Sequence, residues 1–252
     1  MKLQLPDVTV FSFCWGTEHV EKSLKAMLIA MDQVDFKRHV LITDSSKTDL
    51  SLFGQVIDRH KIEVCDMSVD LNDNMSNDDK NRVGFNQSFI QQTNKYIFDD
   101  FCLNIQHDST IIDIEKWDNR FMHYDYIGAP WPMHIIQASD MVAGRIEEIP
   151  NVVGNGGFSL RTRAFVEESA KLGWEHKNED LNICVFNYDT MTSAGIKFAP
   201  PELAAQFSKE HPTPFGNFNR NMLFSYNSFG FHGEFNSAGM EFIKDYDLKG
   251  MV

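Results

Sequence analysis

"VTVFSFCWG", residues 8–16, is dense in β-branched and aromatic side chains and stops at a glycine, which predicts a buried first strand. Downstream of it, Val20, Leu24, Met27, Leu28, Met31 and Val34 recur at helical spacing, so 18–34 is expected to be an amphipathic helix. "HVLITDSS" (39–46) predicts a second strand, "LFGQVIDRH" (52–60) a short helix and "KIEVCDMSV" (61–69) a third strand. The polar stretch 70–82 is expected to be a loop, 85–99 a helix, and "FCLNIQHDSTII" (101–112) an apolar strand running into His107 and Asp108. Strand–helix alternation of this kind implies an α/β fold whose central sheet is mainly parallel and flanked by helices. Ligands of such sheets lie beyond the carboxyl ends of the strands. There the sequence puts Trp15-Gly16, Asp44-Ser45 and His107-Asp108-Ser109.

A length of 252 residues suffices for one large core, and with no linker or internal repeat a single domain 1–252 is expected. No run approaches the ~20 apolar residues that span a bilayer. "MKLQLPDVTV" has one lysine and an apolar run broken by Pro6 and Asp7, which predicts a strand and no signal peptide. Cys14, Cys65, Cys102 and Cys184 form no C-x-x-C pair, which excludes zinc-finger and thioredoxin-type sites and predicts buried free thiols in a reducing cytoplasm. The net charge of −13 disfavours duplex nucleic acid, whose affinity for proteins comes mostly from cations on phosphate. It suits a divalent cation, and it also serves solubility.

The second half is less regular. "NVVGNGGFSLRTR" (151–163) packs Gly154, Gly156, Gly157 and two asparagines, Asn151 and Asn155, into seven positions. Glycine weakens local structure, so the stretch is either a tight corner or a surface where backbone must touch a ligand. A helix is predicted over 162–173. Another opens after Asn178, a good N-cap, with Glu179 and Asp180 in its first turn, and closes at Gly195.

Three groups could carry chemistry. Asp108, after an apolar strand, is either a turn residue or an oxygen ligand for Mg²⁺ or Mn²⁺. Glu179-Asp180 either complement the helix dipole or supply a general base for a hydroxyl. His232, in "FGFHG", could ligate metal or contact a diphosphate. Lys80, Arg82, Arg161, Arg163 and Lys209 are either phosphate partners or solvated surface charges.

"YDYIGAPWP" (124–132), "VGNGGFSLRTR" (153–163), "NEDLNIC" (178–184), "FAPPELAAQFSKE" (198–210) and "FGFHG" (229–233) occur in that order. Over roughly residues 85–235 this set resembles a poorly characterised domain family grouped with GT-A fold glycosyltransferases. The glycine–serine–arginine segment followed by an acidic pair is also similar to fringe-type β-1,3-glycosyltransferases. The resemblance implies a GT-A-like domain with a nucleotide-sugar-binding half (1–112) and an acceptor and catalytic half (113–252). It implies a nucleoside-diphosphate sugar as donor, a glycan or other hydroxyl as acceptor, and a divalent cation, Mn²⁺ or Mg²⁺. By it, Trp15, Gly16, Asp44, Ser45 and Arg82 contact the donor, and Gly154, Asn155, Gly156 and Gly157 leave room, which a side chain would fill, for the sugar of donor or acceptor; Trp131, Trp174 and the C-terminal phenylalanines would either form apolar platforms for sugar faces or serve core packing. Asp108 takes the place of the Asp-x-Asp motif, Asp180 is the base of an inverting transfer with Glu179 beside it, and His232 contacts metal or diphosphate. One departure stands out: the chain reads "HDST", with Thr110 in place of the second acid if Asp108 is the first, and with Gln106 and His107 ahead of it if Asp108 is the second. A metal-dependent nucleotidyltransferase and a non-catalytic sugar- or nucleotide-binding module are the alternatives.

Overall fold

Strand β1 (Leu3–Phe13) passes through Pro6 because its pairing with β2 (Val34–Thr43) shifts register between Leu5 and Thr9, where a residue without an N–H is tolerated. The computed structural model describes residues 1–67, 77–132, 150–173, 178–210, 227–233, 237–246 and 248, with backbone alone for 77–83 and 237–238. Helix α1 (Thr17–Gln33) buries the predicted stripe of Val20, Leu24, Met27, Leu28 and Met31, and β2 begins at Val34 directly behind it. A 3-10 turn (Leu50–Phe53) and α2 (Gly54–Arg59) lead to β3 (Glu63–Asp66). Helix α3 (Asn77–Tyr96) starts well before the predicted residue 85, so the last residues of the expected loop are helical.

Strand β4 (Phe101–Ile105) follows, then β5 (Ser109–Ile111), β6 (Tyr126–Ile127), β7 (Phe158–Thr162), α4 (Arg163–Ser169) and α5 (Glu179–Leu181). A π-helical turn (Asn182–Phe186), α6 (Tyr188–Ser193), α7 (Pro201–Phe207), β8 (Ser208–Lys209), β9 (Gly230–His232) and α8 (Ser237–Lys244) complete the described elements.

The main sheet has the order β3-β2-β1-β4-β7-β6. Its β1, β2, β3 and β4 pairings are parallel, whereas β7 runs antiparallel to β4 and β6 to β7. The sheet is therefore mixed, with helices on its faces. A small sheet, β5-β9-β8, stands at its carboxyl end.

The single strand predicted for 101–112 is two strands in two sheets. The break is a turn in which Ser109 N–H donates to the Gln106 carbonyl (3.2 Å) and Gln106 N–H to Ser109 Oγ (2.9 Å). The polar residues Gln106, His107 and Asp108 mark the break, but a strand end carries the same residue types, so the sequence alone reads through them. The single helix predicted from Asn178 is likewise interrupted by the π turn, and Asn178 makes no side-chain cap bond. Gly195 does end the helix, in a left-handed conformation (φ 93).

Phe121, Phe158, Phe207 and Phe229 pack as one aromatic core under the small sheet, with Phe121–Phe207 and Phe158–Phe207 centroids each 5.2 Å apart. Together with Phe231 they are fully buried, so these phenylalanines serve the core and offer no face to a sugar. All four cysteines are free; Cys65 is half-buried and the others buried. Among the described residues no helix is long and apolar enough to cross a membrane.

Candidate active site

The small sheet brings together residues far apart in sequence. Ser109 of β5 pairs with His232 of β9, which sets His232 Nε2 3.4 Å from Asp108 Oδ1. Glu210, just past β8, places Oε1 3.6 Å from the other ring nitrogen. Burial opposes charge on His232, but Asp108 and Glu210 outweigh it and raise its proton affinity well above that of an ordinary histidine. Asp108 is buried too, which favours its neutral form. His232, and then His107 at 3.8 Å, reverse that and hold its carboxyl well below the usual range.

Asn155 ties this pair to the glycine segment. It occupies the left-handed region (φ 63), which asparagine tolerates better than most residues. Its Oδ1 accepts from the N–H groups of Gly157 (3.1 Å) and Phe158 (3.4 Å), so its amide nitrogen faces Nδ1 of His232 at 2.7 Å. In the neutral ring Nδ1 accepts from Asn155 and the Nε2 proton faces Asp108; a second proton turns Nδ1 toward Glu210 instead.

The glycines do let something approach closely, but it is the protein itself. A Cβ on Gly154 would strike the Trp131 indole, one on Gly156 the Glu179 carboxylate, and one on Gly157 the His232 ring. The sequence-based idea that a side chain here would fill a sugar's space is corrected accordingly: these spaces already hold side chains. Trp131, expected to be a sugar platform, is buried beneath Gly154. Gly156→Ala is therefore expected to cost about 1–3 kcal/mol through overpacking against Glu179, measurable by urea denaturation.

Arg161, expected to be open to phosphate, is buried on β7. Its Nη2 lies 3.2 Å from Glu179 Oε1, and its guanidinium stacks 4.7 Å from the centroid of the Phe89 ring. Glu179 is buried with it, whereas Asp180 is half-buried at the start of α5. Burial, then the charges of Glu179 and Glu210, push the Asp180 carboxyl up to about 7. His232 is near enough to pull it partly back.

Trp15, Gly16, Asp44 and Ser45 gather at the carboxyl ends of β1 and β2, as predicted. Gly16 (φ 83) precedes α1 and donates its N–H to Thr48 Oγ1 (3.0 Å). Lys47 Nζ lies 4.8 Å from the Trp15 ring centroid and 3.4 Å from Asp44. The Asp44 carboxylate accepts from Ser46 N–H (3.0 Å), and Ser45 is exposed. The side chains of Lys80 and Arg82, and Trp174, lie outside the described residues. Arg163 is exposed and paired with Glu167, and Lys209 is half-buried.

Among the described residues no group of three or more His, Cys, Asp and Glu side chains is arranged to hold a metal ion. Asp108 and His232 nonetheless form a two-residue oxygen–nitrogen set, with Nε2 3.4 Å from the buried Oδ1. That set fits a divalent cation that takes its remaining ligands from substrate oxygens.

Sequence reasoning missed Glu210, Lys47 and Asn104. Asn104 left a signal, a polar residue inside the apolar run "FCLNI", and its Nδ2 donates to the Gly156 carbonyl at 2.6 Å.

This architecture is that of a GT-A-like, nucleotide-sugar-transferase-like fold. The chain is similar to the galactosyltransferase LgtC, crystallised in complex with donor and acceptor sugar analogs, at TM-score 0.53 and 12% identity over 94% of this chain and 96% of that one. An active-site mutant of LgtC aligns at TM-score 0.52 and 12% identity, covering 94% of this chain and 95% of that one. The inositol-1-phosphate CTP transferase from T. maritima aligns at TM-score 0.48 and 11% identity, covering 97% and 98%. The chain belongs to the family DUF5672, described as a protein of unknown function, whose model matches residues 67–232. That span holds Asp108, the glycine segment, Glu179-Asp180 and His232. No curated protein matches the sequence.

Proposed function

We propose that this protein transfers a sugar from a nucleoside-diphosphate sugar to an acceptor hydroxyl, with Asp180 as general base of an inverting reaction. One observation carries the reading: a half-buried aspartate with its carboxyl pushed up to about 7 stands within electrostatic reach of His232 and Glu210, in a fold of the nucleotide-sugar-transferase type. A base with that proton affinity is matched to a hydroxyl that loses its proton as it attacks near neutral pH.

Residues 1–112 form the donor half in this reading, and 113–252 the acceptor and catalytic half. Trp15, Gly16, Asp44 and Ser45 mark the nucleotide end, where Lys47 adds a cation beside the indole. Asp108 and His232 would hold a divalent cation, which when bound supplies charge stabilisation to the leaving diphosphate. Asn155 orients the His232 ring, and Gly154, Gly156 and Gly157 shape the floor by admitting Trp131, Glu179 and His232 beneath the backbone.

Incubation with UDP-, GDP- and dTDP-sugars is expected to release nucleoside diphosphate from one of them. Pyrophosphate release from a nucleoside triphosphate would instead identify a nucleotidyltransferase, and binding without turnover a non-catalytic module. EDTA is expected to stop turnover, and Mn²⁺ or Mg²⁺ to restore it. Proton NMR of the product is expected to show the anomeric configuration opposite to the donor's; a retained configuration removes the general-base role from Asp180.

A further inference from the structure

We propose that Arg161 and Glu179 form a buried brace that ties the start of α5 to the glycine segment and so positions Asp180, which makes Glu179 a positioning residue and not a catalytic one. The proposal rests on Asp180 being the base. The brace has three fixed ends. Arg161 Nε donates to Ser159 Oγ at 2.9 Å, and Nη2 reaches both the Gly156 carbonyl (3.3 Å) and Glu179 Oε1 (3.2 Å). The Gly156 carbonyl also accepts from Asn104 Nδ2 (2.6 Å) and Ser159 Oγ (3.0 Å), so β4 and β7 both hold it. The guanidinium is enclosed by the rings of Phe89, Tyr126 and Phe165, with centroids 4.7, 5.5 and 5.6 Å away.

Side-chain exposures of 2% for Arg161 and 6% for Glu179 leave neither of them open to a substrate. Glu179 Oε1 occupies the space a Cβ on Gly156 would take, which fixes where α5 begins. Asp180 is the next residue, and the π turn Asn182–Phe186 follows at once. A π turn re-aims the residues beside it. Asp180 is thus held between a locked neighbour on one side and a widened turn on the other.

The brace also places charge. Glu179 Oε2 is buried with no hydrogen-bond donor among the described residues, so its charge acts on Asp180 undiminished by one. The other groups facing Asp180 are Glu210 beyond β8, His232 on β9, and the Leu181 N–H, which donates to Asp180 Oδ1 at 2.8 Å. Removing the Glu179 charge while keeping its shape therefore changes Asp180 without touching it.

The test uses the full chain and needs no known acceptor. The ¹³C carboxyl signal of Asp180, assigned by its loss in Asp180→Asn, is titrated in wild type and in Glu179→Gln. The expected result is a midpoint lower by roughly one pH unit in Glu179→Gln, where a like charge has gone. With the donor found in the panel, kcat of Glu179→Gln should fall severalfold with KM nearly unchanged, and its acid limb should move down with the NMR midpoint. Arg161→Lys should lower kcat at least tenfold while circular dichroism remains native. An unmoved midpoint in Glu179→Gln overturns the brace and leaves Asp180 as base. Loss of activity in folded Glu179→Gln equal to that of Asp180→Asn makes Glu179 catalytic and overturns it too. Normal turnover by Asp180→Asn sinks the underlying reading itself.

Discussion

Asp180→Asn is expected to lower sugar transfer by about 10²–10⁴-fold while leaving donor binding intact, because the amide keeps the shape of the carboxyl and loses its basicity. The wild-type rate should rise with pH through about 7, since the base acts only when deprotonated and burial, Glu179 and Glu210 raise its proton affinity. The same shift predicts a stability effect of opposite sense. Asp180 has a folded-state value of about 7 against an ordinary 3.8, so between these values the folded state binds more protons than the unfolded one. Stability therefore falls as pH rises from about 4 to about 7, and the full cost is present above 7. An amide in place of the carboxyl does not ionise and would not carry that cost. The Asp180→Asn variant should melt higher than wild type at pH 8 and equally at pH 3.5, by differential scanning calorimetry. A dead enzyme that is also more stable at alkaline pH is the pattern of a strained functional group; a variant that is inactive because it misfolds shows the reverse.

Arg161→Ala is expected to destabilise the fold by about 3–5 kcal/mol in chemical denaturation, because it leaves the buried Glu179 carboxylate without its cation. The Gly156 carbonyl and Ser159 would each lose a donor as well. Replacing both partners, as Arg161→Met with Glu179→Leu, should recover most of that loss, since two apolar groups of similar volume need no counter-charge. Arg163→Ala, two residues on, removes an exposed ion pair with Glu167 and should change stability little. Equal effects at the two positions would mean that Arg161 is solvated in solution and the brace absent.

Local pattern was enough from β1 to β3. The β-branched and aromatic runs in "VTVFSFCWG" and "HVLITDSS" mark strands whose carboxyl halves are buried on both faces, and the helical stripe from Val20 to Met31 marks the face that α1 buries. The position of Trp15-Gly16 and Asp44-Ser45 followed from the same logic, because neighbouring parallel strands end on the same side. Strand β7 shows where that logic stops. All but the last of its five residues are buried, including Ser159 and Arg161, so both faces are covered and alternation carries no information. An arginine in a Phe-Ser-Leu-Arg run looks like a surface cation; only the Phe89, Tyr126 and Phe165 rings and Glu179 make it a core residue.

The sequence by itself determined the strand–helix order, the side of the sheet on which polar residues collect, and the candidates Asp108, Glu179, Asp180 and His232. Those follow from short-range pattern and residue chemistry. The tertiary structure alone decided what each one touches. His232 meets Asp108 because β5 and β9 pair across nearly half the chain, and no local signal encodes that register. Likewise the glycines of 154–157 are small because Trp131, Glu179 and His232, from three other segments, converge under one stretch of backbone. Close packing is a property of the assembled interior, and a sequence states which residues are small without stating what presses against them.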